Sequence, residues 1–168
     1  ADENGFGEFR YSVPSGFLAL CSQNLPAPAV DPNNEANPTD FFNTLLYTGD
    51  GADDRSISGV GFQPNFTWIK QRSATRGHLL VDSVRGATQR IRSNNSIAED
   101  TFADGVQAFE SDGFQVGTNN TVNVSSGTYV AWNWLAGGSA SSNSNGSITS
   151  SVSANTDAGF SIVSYTGN

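Results

Sequence analysis

Residues 128–135 have the sequence TYVAWNWL, and this stretch decides the fold class. Its side chains fall on two faces, one with Tyr129, Ala131 and Asn133 and the other with Val130, Trp132 and Trp134. Period-two alternation of aromatic and β-branched residues is typical of a β-strand. Because Val130 joins both tryptophans on one face, we expect that face to pack in the core, in preference to a sugar-stacking platform.

Shorter strand-like stretches surround it, each bounded by Gly, Asp, Asn or Ser. They are residues 41–48, 65–71, 78–82, 88–93, 106–110 and 113–117. Only residues 96–104 suit a helical turn. Many short strands without a long helix predict an all-β fold, an antiparallel β-sandwich or jelly roll. We expect its core to bury Phe66, Trp68, Trp132 and Trp134.

Changes in composition divide the chain into five segments. They are an N-terminal β-element (1–23), a Pro-rich linker (24–38), the β-sandwich domain (39–138), a linker rich in Gly, Ser and Asn (139–154), and a C-terminal donor-like strand (155–168). Within the first segment, residues 6–11 (FGEFRY) alternate as a strand does. Because both linkers favour extended or flexible chain, we expect the terminal segments to pair outside the main domain.

A short repeat connects the C-terminal segment to the start of the main domain. Residues 160–168 (FSIVSYTGN) repeat residues 42–50 (FNTLLYTGD), with Phe, Tyr, Thr and Gly in the same places. The repeat predicts that the chain ends on the opening strand of a domain that it does not contain. A lone strand exposes unpaired N–H and C=O groups, so it needs a partner. The simplest partner is another copy, and a head-to-tail contact that does not close grows into a fibre.

Both terminal segments are too apolar to lie in water. The predicted assembly residues are Phe6, Phe9, Tyr11, Phe17 and Leu20 near the N-terminus, and Phe160, Ile162, Val163 and Tyr165 near the C-terminus. We expect residues 160–166 to form an intermolecular strand, inserted where a neighbour's sheet lacks one. For the N-terminal element, we favour entry into another subunit over packing on its own domain.

Charge and hydropathy exclude two classes of partner. The net charge is −8, whereas binding to nucleic-acid phosphates needs a surplus of Lys and Arg. Six of the eight basic residues lie within residues 70–92, where we favour a solvated surface over a site for an acidic neighbour. No run of about eighteen apolar residues exists, so no membrane contact is expected. Cys21 is the only cysteine, which excludes an intrachain disulfide.

The sequence offers little for catalysis. His78 is the only histidine, and nothing near Asp82 and Ser83 supplies the oxyanion hole that a Ser-His-Asp triad needs. Paired carboxylates alternating along a strand, which glycosidases of related shape need, are also missing from the sequence. We therefore predict that the protein is not an enzyme and has no cofactor.

Three carboxylates in one turn are a weak candidate for a metal site. Asp50, Asp53 and Asp54 lie in the stretch TGDGADDR and carry oxygen ligands of the kind that calcium prefers. Their spacing differs from the D-x-[DN]-x-[DN]-G loop, and Arg55 neutralises part of their charge. We favour a solvated turn, so neither calcium nor another metal is expected.

Five N-x-[ST] sequons are candidates for N-linked glycosylation. They are Asn65, Asn94, Asn119, Asn123 and Asn145. The last four fall in or beside predicted turns and are expected to be exposed, whereas Asn65 begins an apolar strand. A chain rich in Asn, Ser and Thr contains several sequons by composition alone. Glycosylation also requires a source that secretes through a glycosylating pathway, and the sequence leaves both alternatives open.

Several stretches resemble modules of phage tail-fibre and virion-associated proteins. They are GVGFQPNFTWIKQRS (59–73), HLLVDSVRG (78–86), FESDGFQVG (109–117), YVAWNWLAGG (129–138) and GSITSSVSANTDAGFSIVSYTG (146–167). The opening ENGFGEFRYSVPSGFLALCSQNLP (3–26) is similar to the closing strands of a SPRY or concanavalin-like module. The resemblance implies a concanavalin-like β-sandwich with structural and surface roles and no catalytic residues. The chain also resembles subunits of extracellular glycosylated filaments from environmental samples.

Two functions follow as expectations. The first is a structural subunit of an extracellular or virion filament, which polymerises with identical subunits by β-strand complementation. The alternative is a carbohydrate-binding module of a phage tail fibre, whose ligands are glycans. Either function places the protein outside the cell or on the virion surface.

Overall fold

A computed structural model describes residues 1–25, 30–31 and 36–168. Residues 26–29 and 32–35, which belong to the predicted Pro-rich linker (24–38), lie outside the described residues. The described chain is mostly β, with one four-residue helix, α1 (Asn120–Asn123), and short 3-10 turns at Ser22–Asn24 and Pro38–Asp40. All of its strand pairs are antiparallel, so the predicted all-β class with antiparallel sheets is confirmed.

The strands form three sheets. In chain order they are β1 (Phe42–Thr48), β2 (Arg55–Ser58), β3 (Phe66–Gln71), β4 (Leu79–Asp82), β5 (Gly86–Ile91), β6 (Asp100–Thr101), β7 (Val106–Glu110), β8 (Gly113–Val116), β9 (Thr128–Trp134), β10 (Ser141–Asn143), β11 (Ser150–Asn155) and β12 (Phe160–Tyr165). The six-stranded sheet has the order β1-β9-β3-β4-β5-β6, and the two three-stranded sheets have the orders β2-β8-β7 and β10-β11-β12. The long strand β9 therefore lies between β1 and β3, paired along both of its edges.

The turn between β4 and β5 shows how polar residues set these connections. Oδ1 of Asp82 accepts hydrogen bonds from the N–H groups of Val84 (3.0 Å) and Arg85 (2.9 Å). Gly86 follows at φ 111°, in a region that side-chain-bearing residues rarely adopt. An Asx turn closed by a glycine reverses the chain, which places β5 beside β4.

The hydrophobic core draws on the six-stranded sheet and on the sheet β2-β8-β7. Its buried members are Ile57, Ile69, Leu79, Val81, Val106, Phe114, Val116, Val122, Tyr129 and Ala131. Tyr129 and Phe114 are its largest fully buried side chains. Tyr47 stacks on Tyr129, with ring centroids 5.0 Å apart. Burial of apolar area on this scale is the main term that stabilises the fold.

The two stacked tyrosines also hold the segment around α1 by its main chain. The Tyr47 hydroxyl donates to the Val122 carbonyl (2.8 Å), and the Tyr129 hydroxyl donates to the Asn120 carbonyl (2.8 Å). The Tyr129 oxygen in turn accepts from the N–H of Val124 (2.8 Å). Burial raises the pKa of both phenols, that of Tyr47 far above its usual range, so both stay protonated and able to donate.

Two predictions about local structure are wrong. Residues 96–104 contain no helical turn, because Asp100–Thr101 pairs with β5 as β6. The helix lies instead at Asn120–Asn123, where the Asn119 side chain caps it by accepting from the N–H of Thr121. Residues 6–11 form turns and bends instead of a strand.

The N-terminal residues 1–25 are organised around one carboxylate. Oδ1 of Asp2 accepts from the N–H groups of Asn4 (3.1 Å) and Phe6 (2.8 Å). Its Oδ2 accepts from the N–H of Ala19 (2.8 Å) and from Nδ2 of Asn24 (2.7 Å). These donors, first of all the Ala19 amide, hold the pKa of Asp2 below its ordinary value. The charged carboxylate therefore ties the two ends of this segment together.

The segment predicted as a flexible linker (139–154) contains two strands. Strand β10 and most of β11 lie within it, and β11 pairs along its whole length with β12. The resulting sheet is fixed to the end of β9, because Ser153 donates to the Gly138 carbonyl (2.7 Å). Gly137 permits this contact, since a Cβ there would clash with the Ala154 carbonyl.

Candidate assembly surfaces

The outer face of the six-stranded sheet carries an aromatic surface that we call the outer aromatic face. It comprises Phe42, Phe66, Trp68, Trp132 and Trp134, which point away from the core. The strand register aligns Phe42 with Trp134 and Trp134 with Phe66, and the next row aligns Trp132 with Trp68. All three tryptophans of the chain therefore lie outside the core, on one surface.

The rings of this face contact one another closely. Trp134 packs against Phe42 and Phe66, with ring centroids 4.8 Å and 5.2 Å apart. Trp68 and Trp132 meet edge to face at 5.7 Å. Phe42 is nevertheless 37% exposed, and the other four are half-buried. A contiguous half-exposed aromatic surface is typical of a site that binds something.

The outer position of these residues corrects the sequence prediction. Phe66, Trp68, Trp132 and Trp134 were expected in the core, but the opposite faces of β3 and β9 supply the core instead, with Ile69 and Ala131 fully buried. Lys70 is the signal that indicates the true orientation, because it shares the aromatic face of β3. An ammonium group at that position needs access to water or to main-chain carbonyls, and Lys70 Nζ donates to the Gln71 carbonyl (2.6 Å).

Three of the six clustered basic residues form ion pairs within the chain. Arg85 binds Asp82 and Glu99, each at 2.6 Å. Arg90 and Arg92 both bind Asp100, at 2.9 Å and 3.0 Å. These two guanidinium groups, Arg90 first, hold the pKa of Asp100 well below its ordinary value. The predicted solvated surface thus contains internal ion pairs at Arg85, Arg90 and Arg92, while Arg72 and Arg76 are exposed.

The other three basic residues of the cluster form no ion pair within the described residues. Lys70 and Arg72 lie at the end of β3 that bounds the outer aromatic face. Arg72 directly follows β3, Arg76 lies in the loop between β3 and β4, and both are exposed. Within the described ranges, neither has a carboxylate at ion-pair distance. Lys70 lies on the face itself, aligned with Val130 of β9. This end of the face therefore carries unneutralised positive charge.

The C-terminal strand β12 contacts the same face by its first residue. Phe160 stacks on Trp134 with centroids 6.0 Å apart and lies 6.3 Å from the ring of Phe66. Ile162 is buried, whereas Val163 and Tyr165 on the opposite side of the strand are 50% and 66% exposed. The predicted strand thus exists, with one face used within the chain and the other open.

The pairing of β12 differs from the lone strand that the repeat suggested. It is hydrogen bonded to β11, and within the described residues its other edge has no partner strand. The equivalent position in the six-stranded sheet is filled, because β1 (Phe42–Thr48) already pairs with β9. Among the described residues, β1 also has an open edge. The sheet of a neighbour would therefore offer an edge, and no gap beside β9, to an incoming strand.

The predicted N-terminal assembly residues are exposed. The exposed fraction is 37% for Phe6, 46% for Phe9, 76% for Tyr11, 67% for Phe17 and 97% for Leu20. Leu18 and Leu25 are also exposed. Two large side chains of this segment, Leu20 and Tyr11, thus lie almost wholly in water, which is costly for a segment held in one conformation by Asp2.

Two of the three carboxylates considered for calcium, those of Asp50 and Asp53, bind different partners. Asp50 forms an ion pair with Arg55 at 3.2 Å, and Asp53 accepts from Nε2 of Gln107 at 2.9 Å. The Ala52 amide is the first of the donors that hold the pKa of Asp50 below its ordinary value. Across residues 1–25, 30–31 and 36–168, no group of three or more His, Cys, Asp or Glu side chains has metal-binding geometry.

The sequons differ in accessibility. Asn94 and Asn145 are exposed, and Asn119 is half-buried at the N-cap of α1. Asn65 is buried, with Nδ2 donating to Ser83 (3.1 Å) and Oδ1 accepting from the Ala136 amide (2.9 Å). The prediction that Asn123 is exposed is wrong, because its side chain is fully buried. Glycosylation of Asn94, Asn119 or Asn145 stays a prediction.

The buried side chain of Asn123 has a structural role, which its hydrogen bonds define. Its Oδ1 accepts from Nη1 of Arg55 (2.9 Å) and from the Asp50 amide (3.1 Å). Its Nδ2 donates to the Ala52 carbonyl (2.7 Å) and to Oδ1 of Asp50 (3.3 Å). These bonds close the loop between β1 and β2 over the end of the core. A glycan on Nδ2 would break them.

The residues considered for a catalytic triad are not assembled. His78 accepts a hydrogen bond at Nδ1 from the Trp68 indole (2.8 Å), and Asp82 is bound by Arg85. Ser83 Oγ accepts from Asn65. Ser83 and Asn65 also line a cleft of about 370 Å³ together with Gln63, Leu135, Gly138 and Ser139.

Within the described residues, no helix is long and apolar enough to cross a membrane.

Comparison with known proteins identifies the family. Residues 37–168 match the family described as a domain of unknown function, DUF7483. No curated protein and no solved structure matches the chain. The match starts at the N-cap residue Asn37 of the 3-10 turn before β1 and runs through all three sheets to the last residue. Because it covers most of the chain, the protein belongs to the DUF7483 family.

Proposed function

We propose that the protein is a structural subunit that polymerises head to tail through its sheet edges. The observation that carries this proposal is β12, an edge strand near the end of the described chain with Val163 and Tyr165 exposed on one face. An exposed edge with unpaired N–H and C=O groups is a template for another strand. Apolar side chains beside that edge add the area that makes such pairing stable.

The matching surface in the neighbour is the open edge of β1. Strand β1 spans seven residues and β12 spans six, so their edges have similar lengths. Pairing of β12 with a neighbour's β1 would break no strand pair that exists within either chain. Insertion beside β9, in contrast, would have to displace β1. Edge addition between two different surfaces is a head-to-tail contact, which grows into a filament when its rotation does not close into a ring.

The finer features of fold and location belong to the same proposal. The shared core of the six-stranded sheet and β2-β8-β7 supports a concanavalin-like β-sandwich. The sheet β10-β11-β12 then projects as a connector at the end of that sandwich. A filament or fibre of this kind would lie outside the cell or on a virion surface. The resemblance to fibre and filament modules supports that location.

The test compares the size of the assemblies formed by the full-length chain with that formed by a variant that carries a charge on the connector strand β12. Val163→Asp places a carboxylate on the exposed face of β12, where the isolated chain tolerates it because Val163 is 50% exposed. Ile162 is a poorer choice, since it is only 9% exposed and its replacement would disturb the hairpin itself. Ile97→Asp is the matched control, because Ile97 is 61% exposed in a loop.

We expect filaments from the wild type and from the control, and none from Val163→Asp, by electron microscopy and light scattering. Circular dichroism and thermal unfolding verify that the variant keeps its fold. Filaments of normal length from Val163→Asp would show that β12 is not the connector. A wild-type chain that stays monomeric at every concentration would contradict the function as a whole.

The half-exposed tryptophans favour carbohydrate binding as a second candidate function. Trp68, Trp132 and Trp134 present aromatic rings at one surface, as lectin-like sites do when sugars stack on them. This function predicts that a monomeric chain binds glycans and that Trp132→Ala removes the binding. Calorimetric titration with oligosaccharides separates it from the structural function, which predicts assembly without any sugar.

Glycosylation of the subunit itself is a separate question. Asn94 and Asn145 are the most accessible sequons for a coat of N-linked glycans. The intact mass of native material, before and after enzymatic removal of glycans, measures it directly. A native mass of 17.7 kDa would show that the sequons are unoccupied.

A further inference from the structure

Two apolar surfaces of the chain have side chains exposed to water. One is the outer aromatic face, where Phe42 is 37% exposed. The other is the N-terminal segment 1–25, which exposes Leu20 (97%) and Tyr11 (76%). Exposed apolar area costs about 25 cal/mol per Å² relative to its burial, so two such surfaces favour mutual contact.

We propose that residues 1–25 of a second copy cover the outer aromatic face of the six-stranded sheet. This contact rests on the proposed self-assembly but uses a different surface from β12. The N-terminal segment would thus act as a cap that seals the tryptophan-bearing side of its neighbour. Assembly would then bury both exposed apolar surfaces of each subunit.

Charge complementarity selects this occupant. Residues 1–25 contain three acidic residues (Asp2, Glu3 and Glu8) and one basic residue (Arg10), which gives a formal charge of −2. The exposed carboxylates among them are Glu3 and Glu8. The outer aromatic face ends at Lys70, and the exposed Arg72 directly follows β3 at that end. An acidic apolar segment therefore matches a basic apolar face, and the attraction orients it.

The segment is also pre-organised to bind as a unit. The four hydrogen bonds of Asp2 connect residues 4 and 6 to residues 19 and 24, so both ends of the segment are fixed to each other. Asn24 adds a bond from Nδ2 to the Ala19 carbonyl at 2.9 Å. A segment that is already folded loses less conformational entropy on docking.

The connection to the main domain is long enough for either copy to be the target. Residues 26–36 number eleven and span at most about 35 Å when fully extended. A six-stranded sheet is only about 24 Å wide at 4.8 Å per strand spacing. The choice of a second copy follows from exposure, because within one chain Leu20 lies almost wholly in water while Phe42 is also exposed.

The chain contains a natural pair of probes for this contact. Cys21, its only cysteine, lies in the N-terminal segment, and its three tryptophans all lie on the outer aromatic face. A thiol-reactive quencher on Cys21 therefore reports its distance from that face through tryptophan emission. Labelled full-length chains are mixed with unlabelled chains, and the emission is measured over a range of total concentration.

We expect the emission of unlabelled chains to fall as labelled chains are added, together with assembly measured by light scattering. Leu20→Asp in the labelled chain should reduce the quenching, whereas Ile97→Asp should not. Arg72→Glu in the unlabelled chain should reduce it as well, because Arg72 lies at the basic end of the face. Salt should have the same effect, because exposed charges are screened within about 10 Å at 0.1 M.

Three outcomes would overturn the proposal. The first is strong quenching in labelled chains alone that does not change on dilution, which would show that the segment covers its own sheet. The second is assembly without quenching, which would leave the β12 connection intact and remove only this contact. The third is quenching that Leu20→Asp leaves unchanged. Failure of the proposed function is distinct from these, because it is the loss of assembly itself.

Discussion

Both faces of the six-stranded sheet carry large apolar residues, but the two faces differ in burial. On the inner face, Tyr129, Ala131 and Ile69 are fully buried against β2-β8-β7 and the residues around α1. On the outer face, Trp68, Trp132 and Trp134 stay half-exposed although they are larger. Size and hydrophobicity do not decide burial; the presence of an opposing layer does.

The same comparison indicates that the outer face is the candidate functional surface of the sheet. A sheet with one wet face normally alternates apolar and polar residues, whereas one buried on both faces is apolar throughout. Strands β1, β3 and β9 carry large apolar residues on both faces, although the outer face of this part of the sheet is exposed in the single chain. A second copy that covers the outer aromatic face, as proposed above, would remove this difference.

The largest effect is expected from Tyr129→Ala on the inner face. The change removes a fully buried ring, its stacking on Tyr47, and hydrogen bonds to Asn120 and Val124. The free energy of unfolding should fall by about 4 kcal/mol or more. Urea unfolding followed by circular dichroism measures it, and a loss of less than about 1 kcal/mol would show that the inner face is not the core.

Asn123→Ala tests whether buried polar groups also hold the inner side together. It leaves the Ala52 carbonyl and the Asp50 amide without this partner and removes one hydrogen bond of Arg55, which keeps its contacts with Thr48 and Asp50. We expect a loss of about 2–3 kcal/mol in the free energy of unfolding. Asn145→Ala, at an exposed sequon, is the control and should have no measurable effect. Equal stability of the two variants would contradict the role of Asn123.

Trp132→Ala sharpens the contrast between the faces. A core position would predict a loss of about 3–5 kcal/mol, but a half-buried outer ring should lose only about 1–2 kcal/mol in the monomer. The measurement is urea unfolding at a concentration where light scattering shows no assembly. A loss as large as that of Tyr129→Ala would mean that the outer face is covered within the single chain.

The smallest effect is expected at the far edge of the sheet, at Asp100 of β6. Arg90 and Arg92 hold the pKa of its carboxylate well below the ordinary value. Its contribution to stability is complete above the unfolded-state pKa of about 4 and is lost as pH falls from there toward the folded-state pKa. Asp100→Asn should therefore be less stable than the wild type at pH 7, and the two should converge below about pH 4.

Unfolding curves between pH 7 and pH 2 measure this convergence. Asp157→Asn is the control, because Asp157 is exposed and forms no ion pair within the described residues. A difference between Asp100→Asn and the wild type that stays constant across this range would show that the carboxylate does not act through its charge.

Local sequence patterns predicted the positions of strands more reliably than they predicted what each strand packs or pairs with. The alternation in residues 128–135 and the repeat in 160–168 both mark strands, and the structure has β9 and β12 there. Residues 139–154 were misjudged because Ser, Gly and Asn suit linkers, while β11 obtains its stability from pairing with β12. The strand expected in residues 6–11 is absent, and the Asp2 carboxylate binds the N–H of Phe6 at the start of that stretch, a local side-chain bond that competes with strand pairing.

The candidate surfaces also differ in how far the sequence predicted them. Both terminal sets of apolar residues were visible in the sequence, because a segment rich in Phe, Tyr and Leu beside a linker stands out from its context. The outer aromatic face was not visible in the sequence, because its residues belong to strands that also line the core. Lys70 among the aromatic positions of β3 was the one signal that favoured the outer side.

The sequence by itself determined the all-β class, the positions of the main strands and the apolar character of both ends. Period-two alternation, turn residues and composition act locally, so they are readable without the fold. Only the tertiary structure decided which face of β9 is core, that Asn123 is buried, and that β12 already has a partner in β11. These facts depend on which distant segments pack against each strand, and an alternating pattern is the same whichever face is covered.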